Sequence, residues 1–124
     1  MSPELPLMVL WERLLGDLLD RTTRMPKSVR FTFAQRLDNL ALDVVGFLAE
    51  ARYASGLRKQ RPLAEIDLRL VQLRLLLRIA HERRLTDSAS YEHLMRGLDE
   101  AGRMLGGWRH QVRGVTPTHD SADV

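Results

Sequence analysis

The stretch PLAEIDLRLVQLRLLLRIAHERR, residues 62–84, decides how this chain folds. It contains no glycine, and its one proline stands first, where a fixed φ and a missing N–H suit the start of a helix. Apolar residues then recur every three or four positions and predict a helix with one side on the core. This first apolar stripe consists of Leu63, Ile66, Leu70, Leu73, Leu77 and Ala80.

A second apolar stripe runs along another side of the same predicted helix. It consists of Leu68, Val71, Leu75 and Ile79. At about 100° per residue the two stripes are centred about 150° apart, so a single packing surface cannot cover both. One stripe can face the core, and the other needs either more of this chain or another copy of it. We expect the second stripe to lie in an oligomer interface.

Three further stretches of the sequence are amphipathic. Their apolar stripes predict helices over residues 7–23 and 28–54, and a last helix that follows the turn at residues 85–88 and continues to residue 113. Ser55 and Gly56 end the second helix, and Thr86 or Asp87 is the expected N-cap of the last. Four such helices with short connections and no strand pattern predict an all-α, antiparallel up-down-up-down four-helix bundle.

The length of 124 residues suits one domain, which we expect at residues 1–113. Residues 114–124, GVTPTHDSADV, offer almost nothing to bury and predict a disordered C-terminal tail. No apolar run approaches the about 20 residues that span a membrane, and the first residues lack the pattern of a signal peptide. The absence of cysteine excludes disulfides and thiol chemistry. We therefore expect a cytoplasmic protein without a membrane partner.

Basic residues outnumber acidic ones, and nearly all of them are arginine. The chain has 19 Lys and Arg, of which only Lys27 and Lys59 are lysine. Asp120 and Asp123 stand in the expected tail, so residues 1–113 hold 19 basic and 14 acidic residues, a net charge of +5. Arginine binds phosphate with two N–H groups and stacks on bases, which favours a nucleic-acid partner. A GC-rich genome accounts for the arginine content equally well.

The predicted bundle gathers basic residues at both ends. The end with the first and third connections holds Arg21, Arg24, Lys27, Arg30, Arg83 and Arg84. The end with the second connection and the C-terminus holds Arg52, Arg58, Lys59, Arg61, Arg109 and Arg113. The expected nucleic-acid-binding residues are Arg52, Arg58, Lys59 and Arg61. They cluster on a predicted basic loop and its adjoining turns, where long side chains can reach a phosphate. Arg74 and Arg78, on a flank of the third helix, are the rival candidates.

No set of residues in the sequence indicates a catalytic or metal centre. No Glu is followed by His three positions later, as the di-iron pattern of other bundles requires, and the four histidines share no metal-binding spacing. A phosphate-binding glycine loop and a nucleophile elbow are missing too. We therefore expect no catalytic residue, metal or cofactor, and the hypothesis of a small-molecule or metal-binding bundle enzyme lacks support.

Three segments together resemble a known family. They are residues 36–45, RLDNLALDVV; residues 67–78, DLRLVQLRLLLR; and residues 91–93, YEH, followed by residues 98–108, LDEAGRMLGGW. The run GRMLGGW is the most specific part. Over residues 5–112 the chain resembles the accessory variability determinant (Avd) of diversity-generating retroelements. That family lies within the four-helix-bundle proteins that include those encoded in 23S rRNA intervening sequences.

The resemblance implies a homopentamer of four-helix bundles that forms a basic, barrel-like assembly. It also implies binding to the retroelement reverse transcriptase and to RNA, DNA or both, in support of mutagenic copying of a template repeat into a variable gene. Because the family has no known catalytic centre, it implies an accessory protein rather than an enzyme. The alternative is a structural oligomer of the 23S rRNA intervening-sequence type with no retroelement role, and a neighbouring reverse-transcriptase gene would separate the two.

Overall fold

The computed structural model describes residues 4–114 and contains four α-helices. They are α1 (Glu4–Thr23), α2 (Gln35–Tyr53), α3 (Gln60–Glu82) and α4 (Ser88–Arg113). Both α1 and α3 pack against α2 and α4, so the four helices close into a bundle. Because the connections are short, consecutive helices run antiparallel. No strand is present within residues 4–114, and the predicted all-α four-helix bundle is confirmed.

The first apolar stripe of α3 lies in the core of the bundle. All six of its side chains are at most 1% exposed. Trp11 of α1 is also buried, and its indole Nε1 donates a hydrogen bond to the carbonyl of Ala41 in α2 at 3.0 Å. A buried indole N–H without a partner would cost free energy, so this bond lets a large polar-tipped side chain fill the core.

The second apolar stripe of α3 faces out of the monomer. Leu68, Val71, Leu75 and Ile79 are 42–50% exposed, which contrasts with the burial of the first stripe. The two stripes therefore face different surroundings, as their spacing predicts. The burial of the second stripe in an oligomer stays a prediction.

Two unusual helical turns connect α1 to α2. Lys27–Val29 forms a 3₁₀ turn, and Arg30–Ala34 forms a π-helical turn that runs directly into α2. The sequence predicts one regular helix from residue 28, whereas in the structure the regular α-helix begins at Gln35 and these two turns precede it. Phe33 packs partly against the core, whereas Phe31 is 80% exposed.

The connection between α2 and α3 is helical and not the basic loop that the sequence predicts. Gly56 adopts a left-handed φ of 54°, and Gly56–Lys59 then form a 3₁₀ turn that continues into α3. Pro62 consequently lies inside the first turn of α3 rather than at its first position. Arg58 and Lys59 therefore lie in a 3₁₀ turn and not in an irregular loop.

The end of α3 is a Schellman turn. The N–H of Leu85 bonds to the carbonyl of Ala80 at 2.8 Å, and the N–H of Arg84 bonds to the carbonyl of His81 at 3.0 Å. Arg84 has a φ of 60°, the one positive φ at a residue other than glycine within residues 4–114. An arginine thus occupies the position that glycine fills in most such turns.

Asp87 caps the start of α4, as one of the two predicted N-caps. Its carboxylate accepts hydrogen bonds from the Ser90 N–H at 2.8 Å and from the Ser90 hydroxyl at 2.9 Å. These bonds to Ser90 lower the pKa of Asp87 below its ordinary value, and the charge of Arg24 adds to the effect. The carboxylate is therefore held in its charged form at the amino end of the helix.

The described part of the bundle ends at Arg113 and Gly114, whose N–H bonds to the carbonyls of His110 and Gln111. The rest of the predicted tail lies outside the described residues, so the division into residues 1–113 and 114–124 stays a prediction. None of the helices in residues 4–114 combines the length and the apolar character that crossing a bilayer requires.

Candidate nucleic-acid and oligomer surfaces

The antiparallel helices bring the basic residues together at two ends, as the sequence predicts. We call the end that holds the α1–α2 and α3–α4 connections the paired-turn end; its basic residues are Arg21, Arg24, Lys27, Arg30, Arg83 and Arg84. We call the opposite end, with the α2–α3 connection, the single-turn end; its basic residues are Arg52, Arg58, Lys59, Arg61, Arg109 and Arg113.

At the single-turn end, Arg52 and Lys59 stabilise the packing of the bundle. Arg52 Nη1 lies 3.1 Å from Glu4 Oε1, an ion pair that links α2 to the start of α1. Lys59 Nζ donates to the carbonyls of Ala51 and Arg52, which belong to the last turn of α2 and lack helical partners. The same ammonium lies 5.9 Å from the ring centroid of Trp108. Two of the four predicted nucleic-acid ligands at this end thus hold helices in place.

Arg58 and Arg61, the other two predicted ligands, are exposed. Arg61 pairs with Glu50 at 3.2 Å, but the two side chains are 75% and 47% exposed, and such a screened pair contributes only about 0–1 kcal/mol. Arg61 also lines a groove of about 300 Å³ between the start of α3 and the end of α4, together with Arg109 and Arg113. Three guanidinium groups face this groove, and none of its lining residues is acidic.

Arg74 is engaged in the contact between α3 and α4. Its Nη2 donates to the carbonyl of Leu98 at 3.0 Å, and its Nε lies 3.4 Å from Asp99 Oδ1. Gly102 makes room for the guanidinium, since a Cβ at this position would lie 2.7 Å from Nη2. The first glycine of the GRMLGGW run therefore has a packing role, and Arg74 joins two helices.

Arg78 stands beside the second apolar stripe. It is exposed and has no hydrogen-bond or ion-pair partner within residues 4–114. With Val71 and Leu75 of the stripe, and with Tyr91 and Met95 of α4, it lines a groove of about 300 Å³. Exposed apolar side chains that adjoin one another in this way mark interaction surfaces. The predicted interface residues Leu68 and Ile79 extend the same stripe along α3.

A cavity of about 550 Å³ opens at the paired-turn end, between the end of α1 and the α3–α4 connection. Its charged lining consists of Arg21, Arg24, Glu82, Arg84 and Asp87, beside His81. The Arg84 side chain has no partner within the described residues. Arg21 donates from Nη1 to the carbonyl of Asp17 at 3.1 Å, while its Nε is buried without a partner. This cavity is thus lined by guanidinium groups with unused donors.

A second groove, of about 510 Å³, lies beside the π turn at the same end. The exposed Phe31 and its neighbour Arg30 line it from the turn. Gln35 and Asn39 line it from α2, and because they are four residues apart they lie on one side of that helix. The groove combines an aromatic ring, a cation, two amide side chains and the carboxylate of Asp38, which accepts a hydrogen bond from the Thr22 hydroxyl at 2.7 Å.

Sequence reasoning did not single out Phe31 or distinguish Arg84 from its basic neighbours. The signal for Phe31 is its place off the apolar stripe that contains Val29 and Phe33, which predicts an exposed ring. The signal for Arg84 is the missing glycine where α3 must end, since another residue then has to take the left-handed conformation.

His81 and His93 make separate local contacts. His81 Nε2 lies 3.1 Å from Ser88 Oγ, and the His81 ring stacks on Tyr91 with centroids 4.3 Å apart. His93 Nε2 lies 2.8 Å from Asp17 Oδ2. Across residues 4–114, no three His, Asp or Glu side chains come together as a metal ion would require.

A family model described as bAvd-like matches residues 8–112, a range that includes nearly all of α1 and all of α2 and α3, and ends in the last turn of α4. A comparison with curated proteins gave no significant match. Avd-like proteins are accessory, non-catalytic proteins of diversity-generating retroelements, so the match indicates an accessory role. It confirms the resemblance of the three sequence segments, and the chain belongs to the bAvd-like family.

Proposed function

We propose that this chain is a non-catalytic accessory protein that binds nucleic acid and the reverse transcriptase of a diversity-generating retroelement. In that role it supports the mutagenic copying of a template repeat into a variable gene. The observation that carries the proposal is the family match over residues 8–112. The positive charge at both ends of the bundle supports it, because such a field attracts a polyanion.

The proposed ligands of nucleic acid are Arg52, Arg58, Lys59, Arg61, Arg74 and Arg78. Arg58, Arg61 and Arg78 contribute most, because their side chains are exposed. The solvent-screened pair of Arg61 with Glu50 is weak enough for a phosphate to replace the carboxylate. Contacts of this kind go to phosphates, so we expect binding without strong sequence preference.

The proposed assembly is a homopentamer that buries the second apolar stripe of α3 between copies. Covering half-exposed leucine, valine and isoleucine side chains removes apolar surface from water and favours association. Residues 1–113 have a net charge of +5, so five copies would carry +25. A field of that size would concentrate nucleic acid around the assembly.

The nucleic-acid role is tested by fluorescence anisotropy with labelled RNA and with an RNA–DNA hybrid at several salt concentrations. We expect binding at low salt and a steep loss of affinity as salt rises, because each phosphate contact releases counterions. Arg58→Glu combined with Arg61→Glu should weaken binding more than Arg13→Glu with Arg103→Glu. The Arg13 and Arg103 substitutions change the net charge by the same amount, but at exposed helix positions. Absence of binding by the wild type at low salt would refute the nucleic-acid role.

The oligomer role is tested with one charge placed on each stripe of α3. Leu75→Glu should reduce the assembly mass in light scattering and keep most of the helical circular dichroism. Leu73→Glu should unfold the bundle, because it buries an unpaired charge in the core. A Leu75→Glu variant with the full wild-type mass would place the interface elsewhere.

The polymerase role is tested by co-purification of this chain with the reverse transcriptase of a diversity-generating retroelement, taken from the neighbouring genes where they encode one. A stable complex is the expected result. An assembled wild-type protein that binds neither the polymerase nor nucleic acid would instead favour the structural oligomer of the intervening-sequence type.

A further inference from the structure

We propose that the paired-turn end binds single-stranded nucleic acid, with a base stacked on Phe31 and phosphates held by Arg24 and Arg84. The inference rests on the proposed function for the presence of a nucleic-acid partner. Beyond that function, it names the surface that binds, the paired-turn end, and the kind of nucleic acid that is bound, a single strand. A duplex keeps its bases stacked on each other, whereas an unpaired strand can place them on an aromatic ring.

The base would bind in the groove at the π turn. Phe31 is 80% exposed there, and Arg30 stands next to it, so the groove offers a stacking platform with an adjacent cation. Gln35 and Asn39 supply amide donors and acceptors of the kind that bond to base edges. The side chains of Arg30, Gln35 and Asn39 have no hydrogen-bond partner within residues 4–114.

The phosphates would bind in the cavity of about 550 Å³. Arg21 reaches it from the last turn of α1, Arg24 from the residue that follows that helix, and Arg84 from the α3–α4 connection. Both oxygens of Asp87 are engaged in capping α4, which leaves Glu82 as the one lining carboxylate without a partner in the described part of the chain. Three guanidinium groups around an open cavity are a set of donors that matches phosphate oxygens.

The backbone of Arg84 supports a role for its side chain. A left-handed φ of 60° is disfavoured for every residue with a Cβ, and glycine would complete the same Schellman turn without that strain. Residues held in such conformations cluster at functional sites. The arginine costs stability in the turn, and its side chain lines the cavity.

The aromatic part of the proposal is tested with two matched substitutions. Phe31→Ala and Tyr53→Ala each remove one aromatic ring, 80% exposed at the paired-turn end and 81% exposed at the single-turn end. By anisotropy with a labelled single-stranded RNA, we expect Phe31→Ala to lose about tenfold in affinity and Tyr53→Ala to resemble the wild type. Phe31→Trp should restore binding and show quenching of its fluorescence. A duplex of the same sequence should bind Phe31→Ala and wild type alike.

The cationic part is tested by the salt dependence of the same binding. Arg24→Gln with Arg84→Gln should reduce the slope of log affinity against log salt by about 1.4, since each phosphate contact of a single strand contributes about 0.7. Arg13→Gln with Arg103→Gln, two exposed residues that lie outside the cavity, should leave the slope unchanged. Circular dichroism and light scattering on every variant establish that the fold and the assembly are intact.

The outcomes separate this inference from the function on which it rests. If the wild type binds neither probe, both fail. If the wild type binds single-stranded RNA but Phe31→Ala behaves as Tyr53→Ala does, or if the two double substitutions have equal slopes, the paired-turn site is wrong and the nucleic-acid role stands. Equal losses for Phe31→Ala on duplex and single strand would also overturn it, because a stacking contact requires unpaired bases.

Discussion

The two ends of the bundle resemble each other in charge and differ in what their cations contact. At the single-turn end the side chains of Arg52, Lys59, Arg61 and Arg109 bond to carboxylates or backbone carbonyls. At the paired-turn end Arg21 is the one basic side chain, within residues 4–114, that forms such a bond. Arg52 and Lys59 at the single-turn end therefore stabilise the fold, whereas most paired-turn cations make no such bond within the described residues and remain available to a ligand.

The same contrast holds for the left-handed residue of each end. Gly56 has a φ of 54° at the single-turn end, and Arg84 has a φ of 60° at the paired-turn end. The backbone requirement is the same, but one end meets it with the residue that suits it and the other with a residue that does not. The single-turn end therefore avoids backbone strain, whereas the paired-turn end carries strain at a residue with a cationic side chain.

The largest expected effect concerns Lys59 at the single-turn end. Lys59→Met should lower the free energy of unfolding by about 2 kcal/mol, because it removes two charge-assisted hydrogen bonds to the end of α2 and the contact with Trp108. Urea unfolding measures the change. Lys27→Met, an exposed lysine at the paired-turn end, is the matched control and should change stability little. Equal losses for both lysines would break the contrast between the ends.

The next effect concerns the cap of α4 at the paired-turn end. Asp87→Ala should lower the melting temperature by roughly 5 °C, and Asp87→Asn less, because asparagine also caps helices. Hydrogen bonds from Ser90 lower the folded pKa of Asp87 below 3.8, so its stabilisation is fully present above pH 3.8 and is lost as the pH falls through the folded pKa. The difference between wild type and Asp87→Ala should shrink below that pH, and a difference that grows on acidification would contradict the assigned bonds.

The left-handed position at Arg84 provides a test with a smaller expected effect. Arg84→Gly should raise the free energy of unfolding by about 0.5–1 kcal/mol by removing strain, although it lowers RNA affinity. Arg83→Gly removes the same charge from a residue with an ordinary φ of −87° and should not stabilise. Thermal unfolding distinguishes the two variants. A loss of stability in Arg84→Gly would mean that the arginine side chain itself holds the turn together.

The smallest expected effect is that of Arg61. Arg61→Gln should change the free energy of unfolding by less than about 0.5 kcal/mol, because its pair with Glu50 is exposed to solvent on both sides. Its effect on RNA affinity should exceed that of Arg52→Gln at moderate salt, since Arg52 is held by Glu4. The reverse order of affinities would show that the ion pairs of the single-turn end do not limit which cations reach RNA.

Much of this arrangement could be predicted from the sequence. The four helices, the two stripes of α3, the cap at Asp87 and the two basic ends follow from local spacing and residue type. Three features could not be predicted, because each depends on how one helix meets another. They are the π turn, the helical form of residues 56–59 and the space that Gly102 leaves for Arg74. The packing of Arg74 against the backbone of α4 is the clearest case, since neither helix alone indicates it.

The sequence by itself determined which residues are charged, which are apolar and on which face of a helix each stands, because helical periodicity relates neighbours three and four positions apart. Only the tertiary structure decided which cations are already bonded. Arg52 meets a carboxylate 48 positions away in the chain, and Arg109 meets Asp67 on another helix. Such pairs form only when the helices are packed, so the charge of each end was predictable and its availability was not.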